Sequence, residues 1–324
     1  MKCYLIHNTD TVGVSSWYIE EAYRRTNYDN FKRLKPDKVM KQIAENKLSP
    51  PDYFLVWEGN VSDPYCTRDL AYIKIPKIMW FSDSYPVPGY MDYFSFEVFW
   101  AMNTKPDIIL MAQRGKIEDM KKATGIDRVY WMPFAGEPLY HQEIVKNPEY
   151  DISYVGTINP NDNHPDQIKA RYLSLLSKAG FKVRATISHG AGRPDYASEW
   201  KLGRPVLSEY SKEITMGKVG FNCNIAGDLT MRTFEIPFMN RPLLSNGGDS
   251  WDKIFEDDVN IVIYNKDNII YQMKRLIEDD GFRKRVAENM REDLLKSHTY
   301  ESRIKQIELL VENDIDGYEN SLYR

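Results

Sequence analysis

Cysteine is scarce in this 324-residue chain: Cys3, Cys66 and Cys223 lie far apart, are odd in number and form no CxxC pair. That argues against a disulfide framework or a zinc ribbon and makes reduced thiols in a cytoplasmic compartment the expectation. Long apolar runs are missing too. No stretch approaches the ~18 residues of a membrane span, and the opening MKCYLIHN is too short for a signal peptide. A soluble protein with no transmembrane segment is expected. The five histidines, His7, His141, His164, His189 and His298, show no HxxxH spacing, so no metal-ligand motif is available. There is no GxSxG to suggest a serine hydrolase, no GxGxxG in the first half, and no repeat of fixed period. The sole DxD, Asp314-Ile315-Asp316, falls in the polar tail 314–324, which reads as frayed, solvated surface. Neither a metal nor a resident cofactor is expected. A basic excess is also absent: 43 Lys and Arg stand against 47 Asp and Glu, a net charge of −4. Dedicated nucleic-acid binding is disfavoured on that count, although a local basic cleft is compatible with an acidic total.

What is present suits two α/β domains. The chain is 42% hydrophobic and 13% aromatic, with 22 Tyr, enough for two cores with rings left to line a cleft. Short apolar runs recur at 3–7, 53–57, 77–81, 108–111 and 129–132, then at 152–155, 182–187, 219–222, 242–244 and 260–263. Helix-like stretches separate them at 16–26, 36–46, 116–124, 165–179, 229–239 and 266–277. Strands alternating with helices predict parallel sheets covered on both faces, five strands to each half. Pro138 and Pro148 interrupt the pattern between 137 and 150, where the boundary is placed. The expected domains are 1–140 and 147–298. An amphipathic C-terminal helix, 299–316, packs on the second or crosses back to the first.

Open parallel sheets bind ligands outside the carboxyl ends of their strands, so the residues after each run are the candidates. In the first half these include His7 and the loop 8–16 with Asp10 and Gly13, a segment that serves equally as an anion-approaching turn or as a plain turn with Ser15 or Ser16 capping a helix. Asp83, in Trp80-Phe81-Ser82-Asp83-Ser84-Tyr85-Pro86, combines a carboxylate with aromatic rings. That suits sugar hydroxyls and sugar faces, and it equally suits a helix cap. Glu58 is a weaker equivalent. Asp83, Asp10 and His7 are the acid–base candidates for assisting an acceptor hydroxyl. In the second half, Tyr154-Val155-Gly156-Thr157 leaves an uncrowded backbone at a strand end, and Ser188-His189-Gly190-Ala191-Gly192-Arg193 provides a second glycine-rich loop.

The segment 217–246 is the most informative. A helix starting near Asp228 or Leu229 offers unpaired N–H groups to a diphosphate. Arg232 in its first turn adds a charge-assisted contact, and Glu235, three residues on, suits the two hydroxyls of a ribose. A solvated Arg–Glu pair at i, i+3 is the plain alternative. Together with Tyr154–Thr157, Lys218 through Asn222 to Asn224, Met231-Arg232-Thr233-Phe234-Glu235 and Leu243-Leu244-Ser245-Asn246, this segment resembles the donor-binding end of GT-B glycosyltransferases, most closely the spore-maturation CgeB-like group of the group-1 transferases. Further echoes are Ile254-Phe255-Glu256, Arg285-Val286-Ala287-Glu288-Asn289 and His298-Thr299-Tyr300-Glu301-Ser302-Arg303. The resemblance spans about 151–306.

It implies two Rossmann-like domains with parallel sheets facing across a cleft, and a nucleoside diphosphate sugar, a UDP-sugar foremost, held mainly by the second. Glu235 would bind the ribose, Arg232 the diphosphate, and Gly156 and Thr157 would line the pocket with His189, Lys218, Asn222 and Asp228. One departure stands out. Many retaining GT-B enzymes carry two glutamates eight positions apart, and the position eight before Glu235 is Gly227, which leaves the sugar-contacting role and the stereochemical outcome open. The expected activity is metal-independent sugar transfer to a hydroxyl of a glycan, a protein or a modified nucleobase. A non-catalytic binding or surface-assembly protein of the same shape is the alternative, and a nucleotide-sugar epimerase is a third reading.

Overall fold

Runs of four or five apolar residues alternate with helices over the first 134 residues because each interior strand is buried on both faces. The computed structural model describes residues 1–8, 10–57, 65–82, 92–159, 164–188, 199–225 and 229–323. It divides into two units, Met1–Phe134 with Tyr300–Leu322, and Ala135–Thr299 with the extreme C-terminus.

The first unit holds six parallel strands: β1 (Cys3–Ile6), β2 (Phe31–Leu34), β3 (Tyr53–Trp57), β4 (Lys77–Phe81), β5 (Ile108–Met111) and β6 (Val129–Trp131). Their order is β2-β1-β3-β4-β5-β6. Tyr4, Ile6, Phe54, Val56, Met79, Phe81, Ile109 and Met111 form one core face with Trp100, Ala101 and Met120. The alternate residues Leu5, Leu55, Ile78, Trp80 and Leu110 are equally buried, as a sheet covered on both sides requires. Its helices are α1 (Ser15–Thr26), α2 (Val39–Glu45), α3 (Tyr93–Thr104) and α4 (Ile117–Thr124). Helix α3 is capped by Asp92, whose carboxylate accepts from the Ser95 amide at 3.1 Å and the Ser95 hydroxyl at 2.6 Å.

The second unit repeats the plan with β7 (Tyr150–Gly156), β8 (Val183–Ile187), β9 (Glu199–Leu202), β10 (Gly217–Phe221), β11 (Leu243–Ser245) and β12 (Val262–Ile263), all parallel in the order β12-β11-β10-β7-β8-β9. Helices α5 (Gln167–Lys178), α6 (Leu207–Thr215), α7 (Met231–Glu235), α8 (Ile269–Glu278) and α9 (Asp280–Ser297) belong to it. A core of Ile152, Tyr154, Leu173, Val219, Phe221, Leu244, Val262 and Met273 joins sheet and helices.

Three expectations change. There are six strands to each sheet, not five. The additions, β2 and β9, are edge strands with the sequences Phe-Lys-Arg-Leu and Glu-Trp-Lys-Leu, whose exposed positions include Lys32, Glu199 and Lys201 and so show no apolar run. The helix expected over 229–239 is α7 followed by a 3-10 turn, Ile236–Met239. Pro237 cannot donate the next helical hydrogen bond, and Asn240 at φ 54° ends the turn. The tail is not frayed: α10 (Tyr300–Val311) is followed by α11 (Ile315–Leu322), whose Tyr318 and Leu322 are buried.

Both C-terminal helices are counted with the first unit. Tyr300 stacks on Tyr18 of α1 with ring centroids 5.7 Å apart. The buried Arg303 donates to the carbonyls of Pro133 at 2.9 Å and Phe134 at 2.8 Å, and the Tyr318 hydroxyl donates to the Trp131 carbonyl.

Candidate functional site

In the second sheet the chain winds from β7 outward through β8 to β9, then returns to the other side of β7 for β10, β11 and β12. The reversal lies between β7 and β10, so their carboxyl ends form the crevice where such sheets take ligands. Two sequence-predicted groups sit there by topology alone, Gly156-Thr157 ending β7 and Asn222 following β10.

Arg232, in α7, reaches both ends. Its Nε donates to Asn222 Oδ1 at 3.2 Å and one terminal nitrogen donates to the Val155 carbonyl at 3.2 Å, while the guanidinium lies 5.4 Å from the centroid of the Tyr154 ring, within cation–π range. Asn222 is fully buried and works as a hub. Its carbonyl oxygen also accepts from the Thr230 hydroxyl at 3.1 Å, and its amide donates to Asn224 Oδ1 at 2.9 Å and Thr233 Oγ1 at 3.3 Å. The Tyr264 hydroxyl, beyond β12, donates to its main-chain carbonyl at 3.1 Å. Gly156 is small for a stated reason: a Cβ there would meet the Arg232 guanidinium at 2.6 Å and the Tyr154 hydroxyl at 2.7 Å.

A second cation lies near Arg232. Lys169 of α5 is buried; its ammonium donates to Asp166 Oδ1 at 2.5 Å and to the Thr157 carbonyl at 3.3 Å. Burial lowers its pKa, and the charge of Arg232 lowers it further, so the two cations feel each other. Thr157 Oγ1 is 2.8 Å from the Ser188 hydroxyl at the end of β8. Sequence reading missed Lys169, which is a lysine in an amphipathic helix and becomes a site residue only when α5 is laid against β7.

Glu235 ends α7 and is buried with two partners. The Tyr210 hydroxyl of α6 donates to Oε2 at 2.8 Å, and His141 Nε2 is 3.6 Å from Oε1. Burial raises the Glu235 pKa to about 7, against the Tyr210 hydrogen bond and the Arg232 charge. Burial also pushes His141 down to about 3, so its ring is neutral. Because Nδ1 accepts from the Glu137 amide at 3.0 Å, the ring proton belongs on Nε2, facing Glu235. The solvated Arg–Glu pair is thereby replaced by two inward groups, each with its own partners.

The segment 137–150, read as a domain boundary, therefore carries a buried site histidine. Gly136 lets it pass α7, for a Cβ there would come within 2.2 Å of the Phe234 carbonyl.

Lys218 is not brought to this group. It is the second residue of β10, at the amino end of the sheet, where it donates to Asp151 Oδ1 at 3.2 Å. There it lines a cavity of about 330 Å³ with Lys146, Arg241, Arg283 and Lys284. A rise of four residues along the strand, roughly 13 Å, separates it from Asn222. The helix begins at Met231 with Thr230 as its cap residue, two to three residues later than expected. Asp83, Glu58, His189, Gly227 and Asp228 lie outside the described residues.

In the first unit the order reverses between β1 and β3, and His7 directly follows β1. It is fully buried, with Nε2 2.9 Å from Glu20 Oε2 of α1 and no hydrogen-bond partner for Nδ1 among the described residues. Burial would raise Glu20, but hydrogen bonds from His7 and Arg24 outweigh it and hold the carboxyl below its ordinary range. Asp10 is different: it is 77% exposed and bonded to Arg33 at 2.5 Å. Among the described residues, no three His, Cys, Asp or Glu side chains converge as a metal site, and no helix is long and apolar enough to cross a membrane.

Residues 170–308 match the model of a family described as glycosyl transferase-like. No curated protein matches by sequence. Solved structures match over nearly the whole chain at low identity. HepE of Anabaena, in complex with UDP-glucose, is similar with a TM-score of 0.68 and 11% identity, covering 97% of this chain and 100% of that one. An alpha-glucosyltransferase in complex with UDP and a DNA containing an HMU base gives 0.66 and 10%, covering 95% and 98%. A glycosyltransferase from Rickettsia africae gives 0.61 and 10%, covering 99% and 98%. Residues 170–308 thus carry the pattern of a glycosyl transferase-like family, and the two six-stranded parallel Rossmann-like sheets give the chain the GT-B fold.

Proposed function

We propose that the protein moves a hexosyl group from a UDP-sugar to a hydroxyl acceptor without a metal ion. The observation that carries this reading is the convergence of Arg232, Asn222, Gly156 and Lys169 at the reversal of the second sheet, with Glu235 one helical turn beyond Arg232. Support for uridine comes from the similar structures of HepE and the alpha-glucosyltransferase, which contain UDP-glucose or UDP.

In this mechanism the C1–O bond to the β-phosphate breaks and a glycosidic bond forms to the acceptor oxygen. Negative charge grows on the departing diphosphate. Arg232 and Lys169, set in a partly desolvated crevice, stabilise it more strongly than they would in water. Glu235 receives ribose hydroxyls. Of the first unit's acid–base candidates, His7 is buried and paired with Glu20, whereas Asp10 is exposed and tied to Arg33. The acceptor classes that fit are a glycan, a protein and a modified nucleobase. Gly227, in place of a second glutamate, favours one other reading, a donor-binding protein without turnover.

Thermal shift against UDP-, GDP-, ADP- and dTDP-sugars, followed by UDP release with and without EDTA and acceptor, tests the proposal. The expected result is stabilisation by UDP-sugars and EDTA-insensitive release. Absence of any nucleotide-sugar stabilisation would overturn it, and stabilisation without turnover would select the binding protein.

A further inference from the structure

Glu235 is held from two directions by elements that are themselves stitched together. The hydroxyl of Ser211, next to Tyr210, donates to the Tyr140 carbonyl at 2.9 Å and accepts from the Gln142 amide at 3.4 Å. The Val145 amide donates to Thr215 Oγ1 at 3.1 Å. The segment bearing His141 is thus fixed along the helix bearing Tyr210, and the two rings meet edge to face at 6.0 Å. We infer that His141 and Tyr210 are positioning residues that hold the Glu235 carboxylate in the orientation needed to receive a ribose hydroxyl. This rests on the reading of Glu235 as the ribose-binding group.

A carboxylate offers about four acceptor positions. Tyr210 uses one on Oε2 and the His141 N–H points at Oε1, which leaves capacity on both oxygens for a diol. A glutamate with free rotamers would have to be ordered each time a nucleotide bound. One hydrogen-bonded to the Tyr210 hydroxyl, with the His141 ring N–H packed 3.6 Å from its other oxygen, is ordered beforehand. The tautomer matters: the Glu137 amide occupies Nδ1, so the proton must face the carboxylate and the ring cannot turn an acceptor toward it.

The test compares the affinities of UDP and 2′-deoxy-UDP by calorimetry in the full-length protein and four variants. In the wild type the deoxy compound should bind about 10- to 100-fold more weakly, the loss of one hydrogen bond to a charged group. Tyr210→Phe, which removes one oxygen and keeps the ring, and His141→Ala should each bring that ratio close to one. His141→Gln, which retains an N–H donor, should restore part of it. A merely structural role would weaken both ligands alike and leave the ratio unchanged, and a ratio preserved in either variant removes that residue from the role. Glu235→Gln separates the layers. If its ratio stays at the wild-type value, or the wild type binds no UDP, the ribose reading itself is wrong. If its ratio collapses while Tyr210→Phe and His141→Ala keep theirs, only the positioning inference is wrong.

Discussion

Burial and hydrogen bonding act in opposite directions on Glu235, and the balance gives a pH signature. Its pKa stands near 7, above the ordinary carboxyl value, with neutral His141, Tyr210 and Arg232 as its polar surroundings. A raised acid pKa means the folded state holds the proton more tightly than the unfolded chain. Stability is therefore lost as pH climbs through the window between the ordinary value and 7, by on the order of 3 kcal/mol. Lowered His141 acts in the other sense: its contribution is lost as pH falls below the ordinary histidine value. Glu235→Gln should be more stable than the wild type at pH 8 and similar to it at pH 5 in urea titrations. Nucleotide affinity of the wild type should strengthen as pH rises through 7, because a ribose hydroxyl needs the ionised carboxylate; a flat profile would show that the carboxyl is not in contact. Gly156→Ala places a methyl within 2.6 Å of the Arg232 guanidinium. Overpacking of this kind costs about 1–3 kcal/mol, and here it also displaces Arg232. A Tm drop of several degrees with weaker UDP binding is expected, whereas unchanged binding would separate Arg232 from the ligand.

Among elements, the short α7 and the C-terminal pair α10 and α11 show how local rules meet tertiary demands. Helix α7 is only five residues long because Pro237 and Asn240 end it. That brevity leaves Arg232 near its start and Glu235 at its end, one turn apart with different partners. Helix α11 reads as a polar tail, yet Tyr318 and Leu322 are four residues apart on one stripe and both buried. Tyr318→Ala should cost about 3–5 kcal/mol, as removal of a buried aromatic ring does, and should shift the denaturant midpoint. A loss under 1 kcal/mol would mean that the tail adds little to the first unit.

For the whole molecule, two units with separate cores predict separable behaviour. The second is a continuous stretch, Ala135–Thr299, whereas the first needs Tyr300–Leu322 to complete it. A fragment of residues 135–299 is expected to fold and to be stabilised by UDP through mass action. Residues 1–134 alone should expose the face of Tyr18 and the carbonyls of Pro133 and Phe134 that Arg303 otherwise satisfies, and should aggregate or unfold. Circular dichroism melts of both fragments check this; a folded 1–134 fragment would contradict it. Much of this architecture is legible in the chain. Interior strands announce themselves as apolar runs because both their faces are covered, and the order of strand and helix dictates parallel pairing. Edge strands β2 and β9 escape notice because solvent permits them charge. Of the candidate site, Gly156, Asn222, Arg232 and Glu235 can be found at strand ends and in one motif, while Lys169, Tyr210 and His141 cannot, since each is an ordinary residue of a helix or a connecting segment until the fold brings it close. Sequence alone settled which strands are central and where their carboxyl ends fall, because these follow from burial periodicity along one dimension, while the family resemblance of the second half rests on the motif residues of 217–246. Only the tertiary structure decided that Lys169 reaches the end of β7 and that Glu235 faces inward to Tyr210 and His141, because both depend on contacts between residues distant in the chain.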